Sequence, residues 1–227
     1  MKEILKLALS LTFICALAGA ALAFVNAKTE APRQAAKEKQ RNEKMALLLP
    51  RETVRTETCG EMPLRLEDGS EVTFFQATDA AGHLLAYCAE AADPSGFGGE
   101  LKVLVGIDPD GTVRGVLVTE NAETPGIGSR VCDRTVSRSF WELFRPPAAS
   151  QEASGGAYPP NKYLDRYAGQ SLPQEGFVLK AEKGPGMVKP VSGATISSRA
   201  VVNAVNRVCQ AWHQRKALFA PTNDPQE

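Results

Sequence analysis

Histidine is scarce in this 227-residue chain, with two copies, His83 and His213, and no G-x-S-x-G element accompanies them. A hydrolase using Ser192 or Thr195 as nucleophile would need a base close by, so that chemistry is disfavoured. Charge of one sign is not in excess either: Lys and Arg total 26, Asp and Glu total 26. A nucleic-acid partner normally leaves a basic surplus, and none is present. The five cysteines (Cys15, Cys59, Cys88, Cys132, Cys209) stand far apart, with no C-x-x-C and no C-x-x-C-H. Structural zinc, an iron–sulfur loop and c-type haem attachment are therefore disfavoured, and no metal site is expected. Internal repeats are absent too.

What is present begins with an apolar run. No charge occurs from Leu7 to Ala27, and about 20 apolar residues in a helix cross the hydrocarbon core. A cleaved leader, with Ala21-Leu22-Ala23 as the cleavage site, is the competing reading. The length of the run favours a retained anchor over residues 1–27. Six basic residues follow the span (Lys28, Arg33, Lys37, Lys39, Arg41, Lys44) and two precede it (Lys2, Lys6). Charge bias alone would keep the rest of the chain in the cytoplasm, although long domains translocate largely regardless of it. Residues 28–50 read as a solvated helical linker stopped by Pro50.

Residues 51–227 read as one α+β domain of antiparallel hairpins packed with helices. One hairpin spans Val72–Ala77 and His83–Ala89. Another spans Leu101–Ile107 and Thr112–Thr119, turning through Asp108-Pro109-Asp110-Gly111. Ser95–Gly99 reads as a loop between them. Helical spacing is expected over Ser129–Phe144, an irregular excursion over 145–175, and a short strand at Phe177–Ala181. Trp141 and Trp212 read as core, and His83 and His213 as structural or exposed. Val201, Val205, Val208 and Trp212 fall at i, i+4, i+7 and i+11, which predicts a long amphipathic helix over Ile196–Leu218.

Ser192-Gly193-Ala194-Thr195-Ile196-Ser197-Ser198 opens that helix. Free amides at a helix start favour an anion, small residues allow close approach, and four hydroxyls supply donors. The segment is suited to a phosphate, and a threonine hydroxyl there is open to esterification. An ordinary N-cap is the plain alternative. Asn121–Gly128 (NAETPGIG) carries Glu123-Thr124-Pro125-Gly126-Ile127-Gly128, which alone is a strand-to-helix turn with Ser129 as cap. A dinucleotide fingerprint fails there, because Val131 stands where Gly or Ala is needed.

Together, SGATIS before a C-terminal helix, the Gly96-Phe97-Gly98-Gly99 segment and E-T-P-G-I-G resemble the FMN-binding domain family. Within it they look most like the G subunits of Rnf-type ion-translocating electron-transport complexes, which are related to the C subunit of sodium-pumping NADH:quinone reductase. The resemblance implies FMN held covalently by a phosphoester to Thr195, made by a dedicated flavin transferase. It implies that Ser192, Gly193, Ala194, Ser197, Glu123, Thr124, Pro125, Gly126, Gly128 and Phe97 adjoin the cofactor, and that no residue is catalytic in its own right; Phe97 either stacks near the isoalloxazine or simply packs, as aromatics more often do. It further implies an electron-carrier subunit among other subunits of a membrane redox complex. That subunit would be a single-pass protein of the bacterial inner membrane with its main domain on the periplasmic side. The family pattern commonly has an acid three positions before the serine; Lys189 stands there instead. The alternative function is an anchored extracytoplasmic domain that binds a phosphate-bearing ligand reversibly, without a redox role.

Overall fold

The computed structural model describes residues 2–59, 63–134, 158–180, 182 and 184–215. The chain divides into two compact units, one ending at Glu43 and the other starting at Lys44. The first lies within helix α1 (Lys2–Leu48), which includes Pro32. It is the one helix among the described residues long and apolar enough to cross a membrane. Its large side chains point outward: Leu7, Leu11, Phe13, Leu17, Leu22 and Phe24 are all exposed. Such a surface suits lipid, where every polar group must find an internal partner. Ser10 and Thr12 comply by donating to the carbonyls of Leu7 and Ala8, at 2.9 and 2.8 Å.

The second unit is built on an antiparallel sheet of β1 (Arg55–Thr58), β2 (Leu64–Arg65), β3 (Glu71–Thr78), β4 (Leu84–Gly96), β5 (Gly99–Ile107) and β6 (Val113–Glu120). The order is β1-β3-β4-β5-β6, with β2 also paired to β3. Two-residue alternation gives the sheet two apolar faces. Val72, Phe74, Tyr87, Ala89, Val103 and Val105 belong to the larger cluster, under helix α3 (Thr195–Arg215). Phe75, Ala77, Ala86, Cys88 and Leu104 turn the other way and pack with Met45, Leu48 and Leu49. The folded unit thus takes in the last turn of α1, where the sequence pattern draws the linker through to residue 50. Lys44 ties that turn to the edge strand, donating to the carbonyls of Val118 and Thr119 at 2.8 and 3.1 Å.

On the larger face, α3 buries the expected stripe of Val201, Val205, Val208 and Trp212. The Trp212 ring meets Tyr87 edge-on at 5.4 Å. Residues 158–191 add a short helical turn at Leu164–Arg166 and a small parallel pair, β7 (Val178–Leu179) with β8 (Met187–Val188). This stretch is far from a plain excursion: Tyr163, Leu164, Tyr167 and Phe177 are fully buried. Helix α2 is described over Ser129–Cys132. The remainder of the helix expected to Phe144, with Trp141, lies outside the described residues.

Candidate functional site

The Gly-rich segment is the tip of the β4–β5 hairpin, with Gly96 paired to Gly99 across it. It is not a connection between hairpins. Phe97 sits at that tip, 67% exposed. The tip lies directly on the loop after β6: a Cβ on Gly98 would come 1.9 Å from the Ala122 carbonyl oxygen. Only glycine fits there, which accounts for its place in the motif.

Glu123 is the knot between the three motifs. Its side chain is buried, with Oε1 accepting the Phe97 N–H at 2.9 Å and Oε2 accepting the Ser197 hydroxyl at 2.8 Å. Gly128 presses on the same carboxylate, since a Cβ there would lie 2.3 Å from Oε2. One residue therefore joins the hairpin tip, the E-T-P-G-I-G loop and the start of α3. That loop is folded on itself, with the Thr124 carbonyl accepting the N–H groups of Ile127 and Gly128 at 3.2 and 3.1 Å. The Ser129 hydroxyl accepts the Gly126 N–H at 2.7 Å. Pro125 and Gly126 form its exposed outer edge.

At the start of α3, Gly193 adopts φ +83°, a left-handed conformation that turns the chain into the helix. The Ala194 carbonyl accepts the first helical bond, from Ser198 at 2.9 Å. The amides of Thr195, Ile196 and Ser197 are left without a backbone acceptor among the described residues, a helix start open to an anion. The plain N-cap does not describe it: Ser192 and Thr195 are exposed, and neither hydroxyl bonds to a described residue. The two buried hydroxyls serve the fold instead, Ser197 on Glu123 and Ser198 accepting the Val191 N–H at 3.1 Å.

A cleft of about 650 Å³ opens beside this segment, between α2 and Lys189–Val191. Arg130, Lys162, Arg166 and Lys189 line it, with Asp133 as the one acid among the described residues. Asn161 builds its wall. Its amide donates to the carbonyls of Arg130, Val131 and Asp133. Its Oδ1 accepts the N–H groups of Tyr163 and Leu164 at 2.8 and 3.0 Å. Arg166 donates to the Lys189 carbonyl and so links the two walls. Tyr163 donates to the Ser198 carbonyl at 2.6 Å, fixing the wall to α3, and burial pushes the Tyr163 phenol up from its usual range. Cys132, the buried last residue of α2, is pushed up to about 12 by burial and then by the negative charges of Glu123 and Asp133. It is a buried thiol and no nucleophile.

These wall residues were not anticipated from the pattern of the chain. The available signal was Asn161 two and three residues before a buried pair, Tyr163 and Leu164, since Asn at that spacing caps a turn through its side chain. Of the residues expected at the site, Phe97, Thr124, Pro125, Gly126, Ser192, Gly193 and Thr195 are exposed, and Glu123, Gly128, Ala194 and Ser197 are buried supports.

The FMN-binding domain pattern matches residues 96–210, just over half of the chain, from the hairpin tip to the last turns of α3. The chain belongs to the FMN-binding domain family. Among curated relatives it is similar to the G subunit of the ion-translocating oxidoreductase complex of Haemophilus influenzae (strain PittEE), 32% identical over 152 residues. That match covers 66% of this chain and 60% of the relative, so the chain spans well under two thirds of that protein's length. It is also similar to the G subunit of the Na(+)-translocating ferredoxin:NAD(+) oxidoreductase complex of Acetobacterium woodii, 26% identical over 219 residues, 93% of this chain and 92% of the relative. Among solved structures, Shewanella oneidensis NqrC aligns with a TM-score of 0.45 and 22% identity, covering 74% of this chain and 73% of that one. The residues present fit the family's cofactor: the unbonded Ser192 and Thr195 hydroxyls and three open amides suit a phosphate, and the chain just before them, Lys189–Val191, lines a basic cleft.

Proposed function

We propose that this protein is an electron-carrier subunit of a membrane ion-translocating oxidoreductase complex, holding FMN covalently through a phosphoester on Thr195. A single N-terminal span anchors it in the bacterial inner membrane, and the folded domain works on the periplasmic side. The observation that supports the reading is the knot at Glu123, which joins all three motifs at the start of α3, the helix that opens with the exposed Thr195.

FMN, when bound, supplies one- and two-electron transfer. The chain supplies placement. The open amides of Thr195, Ile196 and Ser197, with the helix dipole, bind the phosphate, and the Thr195 Oγ1 bears the ester bond. Gly193 keeps the approach to that oxygen free of a side chain. Glu123 holds the hairpin tip and the loop against the helix start, so Phe97 and Pro125–Gly126 stand at the edge of the cofactor's space. Thr195 is thus an attachment point and takes no part in turnover. Flavin transferase is the maturation partner, and the lasting partners are the other subunits of the complex and the bilayer.

In-gel flavin fluorescence after SDS denaturation tests this in cells that contain the transferase. The wild type gives a fluorescent band and Thr195→Ala a dark one, with unchanged circular dichroism. A dark wild-type band would favour an anchored domain that binds a phosphate-bearing ligand reversibly.

A further inference from the structure

The cations of the cleft come from separate parts of the chain: Arg130 from α2, Lys162 and Arg166 from the turn after residue 160, and Lys189 from the end of β8. Their clustering is therefore made by the fold and not by a basic run. All four side chains are exposed, and among the described residues those of Arg130, Lys162 and Lys189 form no ion pair. Asp165, the acid nearest in sequence, is engaged elsewhere: it pairs with Arg134 at 2.6 Å and accepts the Asn161 N–H at 2.8 Å. Among the described residues that leaves Asp133 as the one carboxylate lining the cleft with the four cations.

The cleft has the volume of a small-molecule site. Its wall includes Lys189-Pro190-Val191, which lead in the chain directly into Ser192 and, three residues on, Thr195. An isoalloxazine gains negative charge when it takes up electrons. Fixed positive charge at its edge stabilises the reduced form more than the oxidised form, and charge near the ring nitrogens is a known lever on a flavin's electronics.

We propose that the ring of an FMN carried on Thr195 lies in the cleft of Arg130, Lys162, Arg166 and Lys189, whose positive charge makes it easier to reduce. This inference rests on the reading given under "Proposed function". In it Lys189, which stands where the family pattern has an acid, is a positioning and tuning residue of this chain.

The test is the flavin midpoint potential of the flavinylated full chain, measured by spectroelectrochemical titration. Lys189→Gln, Lys162→Gln and Arg130→Gln each shift it to more negative values, and Lys189→Glu shifts it further. Asp133→Asn shifts it the opposite way. Arg55→Gln leaves it unchanged, since the β1–β3–β4 register places Arg55 at the far end of the sheet from the β4–β5 tip. Added salt shrinks the differences, because exposed charges are screened. Lys162 and Arg130 lie outside the attachment segment, so their variants carry the test if Lys189 variants are poorly modified. Flavinylated variants with the wild-type potential would overturn this inference alone. A wild type with no covalent flavin would overturn the underlying reading and this inference with it.

Discussion

Glu123 shows how a single residue sets the site. Both carboxylate oxygens are engaged, one by the Phe97 N–H and one by the Ser197 hydroxyl, in a nearly dry position. Glu123→Ala leaves the buried Ser197 hydroxyl without a partner, which costs about 1–3 kcal/mol, and frees the part-buried Phe97 N–H as well. Its expected signature is a lower melting temperature together with reduced flavin loading, read by calorimetry and in-gel fluorescence on one preparation. Gly128→Ala produces the same pair of effects by pushing the carboxylate out of place. The buried thiols make a second prediction. Cys132 and Cys209 are both pushed up to about 12, Cys209 by burial alone in the main. A raised thiol value keeps the folded form neutral, so the stability contribution is whole below the ordinary 9.0 and fades as pH climbs towards 12. Denaturant midpoints across that window fall less steeply for Cys132→Ala than for the wild type.

Among the elements, α3 carries both the attachment residue and the core stripe, and its seat depends on Arg207. That guanidinium meets Asp93 at 2.9 Å and Asp68 at 3.1 Å, and also donates to the Ala92 carbonyl. Asp93 is 2% exposed. Removing the arginine leaves the buried Asp93 carboxylate with its Ser95 bonds but no counter-charge, and Arg207→Ala is expected to cost about 3 kcal/mol in urea denaturation. The helix itself was legible because a 3.6-residue apolar stripe has one physical reading. The hairpins around Asp108–Gly111 and Asp79–Gly82 were legible for the equivalent reason, alternating faces joined by turn residues. Ser95–Gly99 misled because Asp93-Pro94-Ser95-Gly96 has turn composition, whereas β4 runs on through it. Pro94 sits at the register shift between Asp93 and Gly96, where a missing N–H does no harm. Residues 158–175 were illegible as structure because they have no period, whereas the short strand expected at Phe177–Ala181 is found as Val178–Leu179. The former are held by side-chain bonds, with Asn161 under α2 and Arg134 donating to the Val116 and Pro159 carbonyls. The candidate site was legible as three strings; that Glu123 joins them depends on sheet register, which no short string contains.

At the scale of the whole molecule, the apolar helix and the folded unit raise the matter of sidedness. Charge counting opposes export of the folded unit, and the proposed function requires it. Arg55→Cys places a reactive thiol at an exposed position of β1. A membrane-impermeant maleimide applied to cells with a permeabilised outer membrane labels it before lysis if the domain is periplasmic. Labelling only after lysis would put the domain in the cytoplasm. The central claim, however, is the bond at Thr195, and mass spectrometry of the protein purified from cells with flavin transferase tests it most directly. The account predicts that the peptide containing Ser192–Ser198 carries the mass of FMN less one water, with fragmentation placing it on Thr195. The unmodified peptide, or the same mass on Ser192 or Ser197, would contradict it.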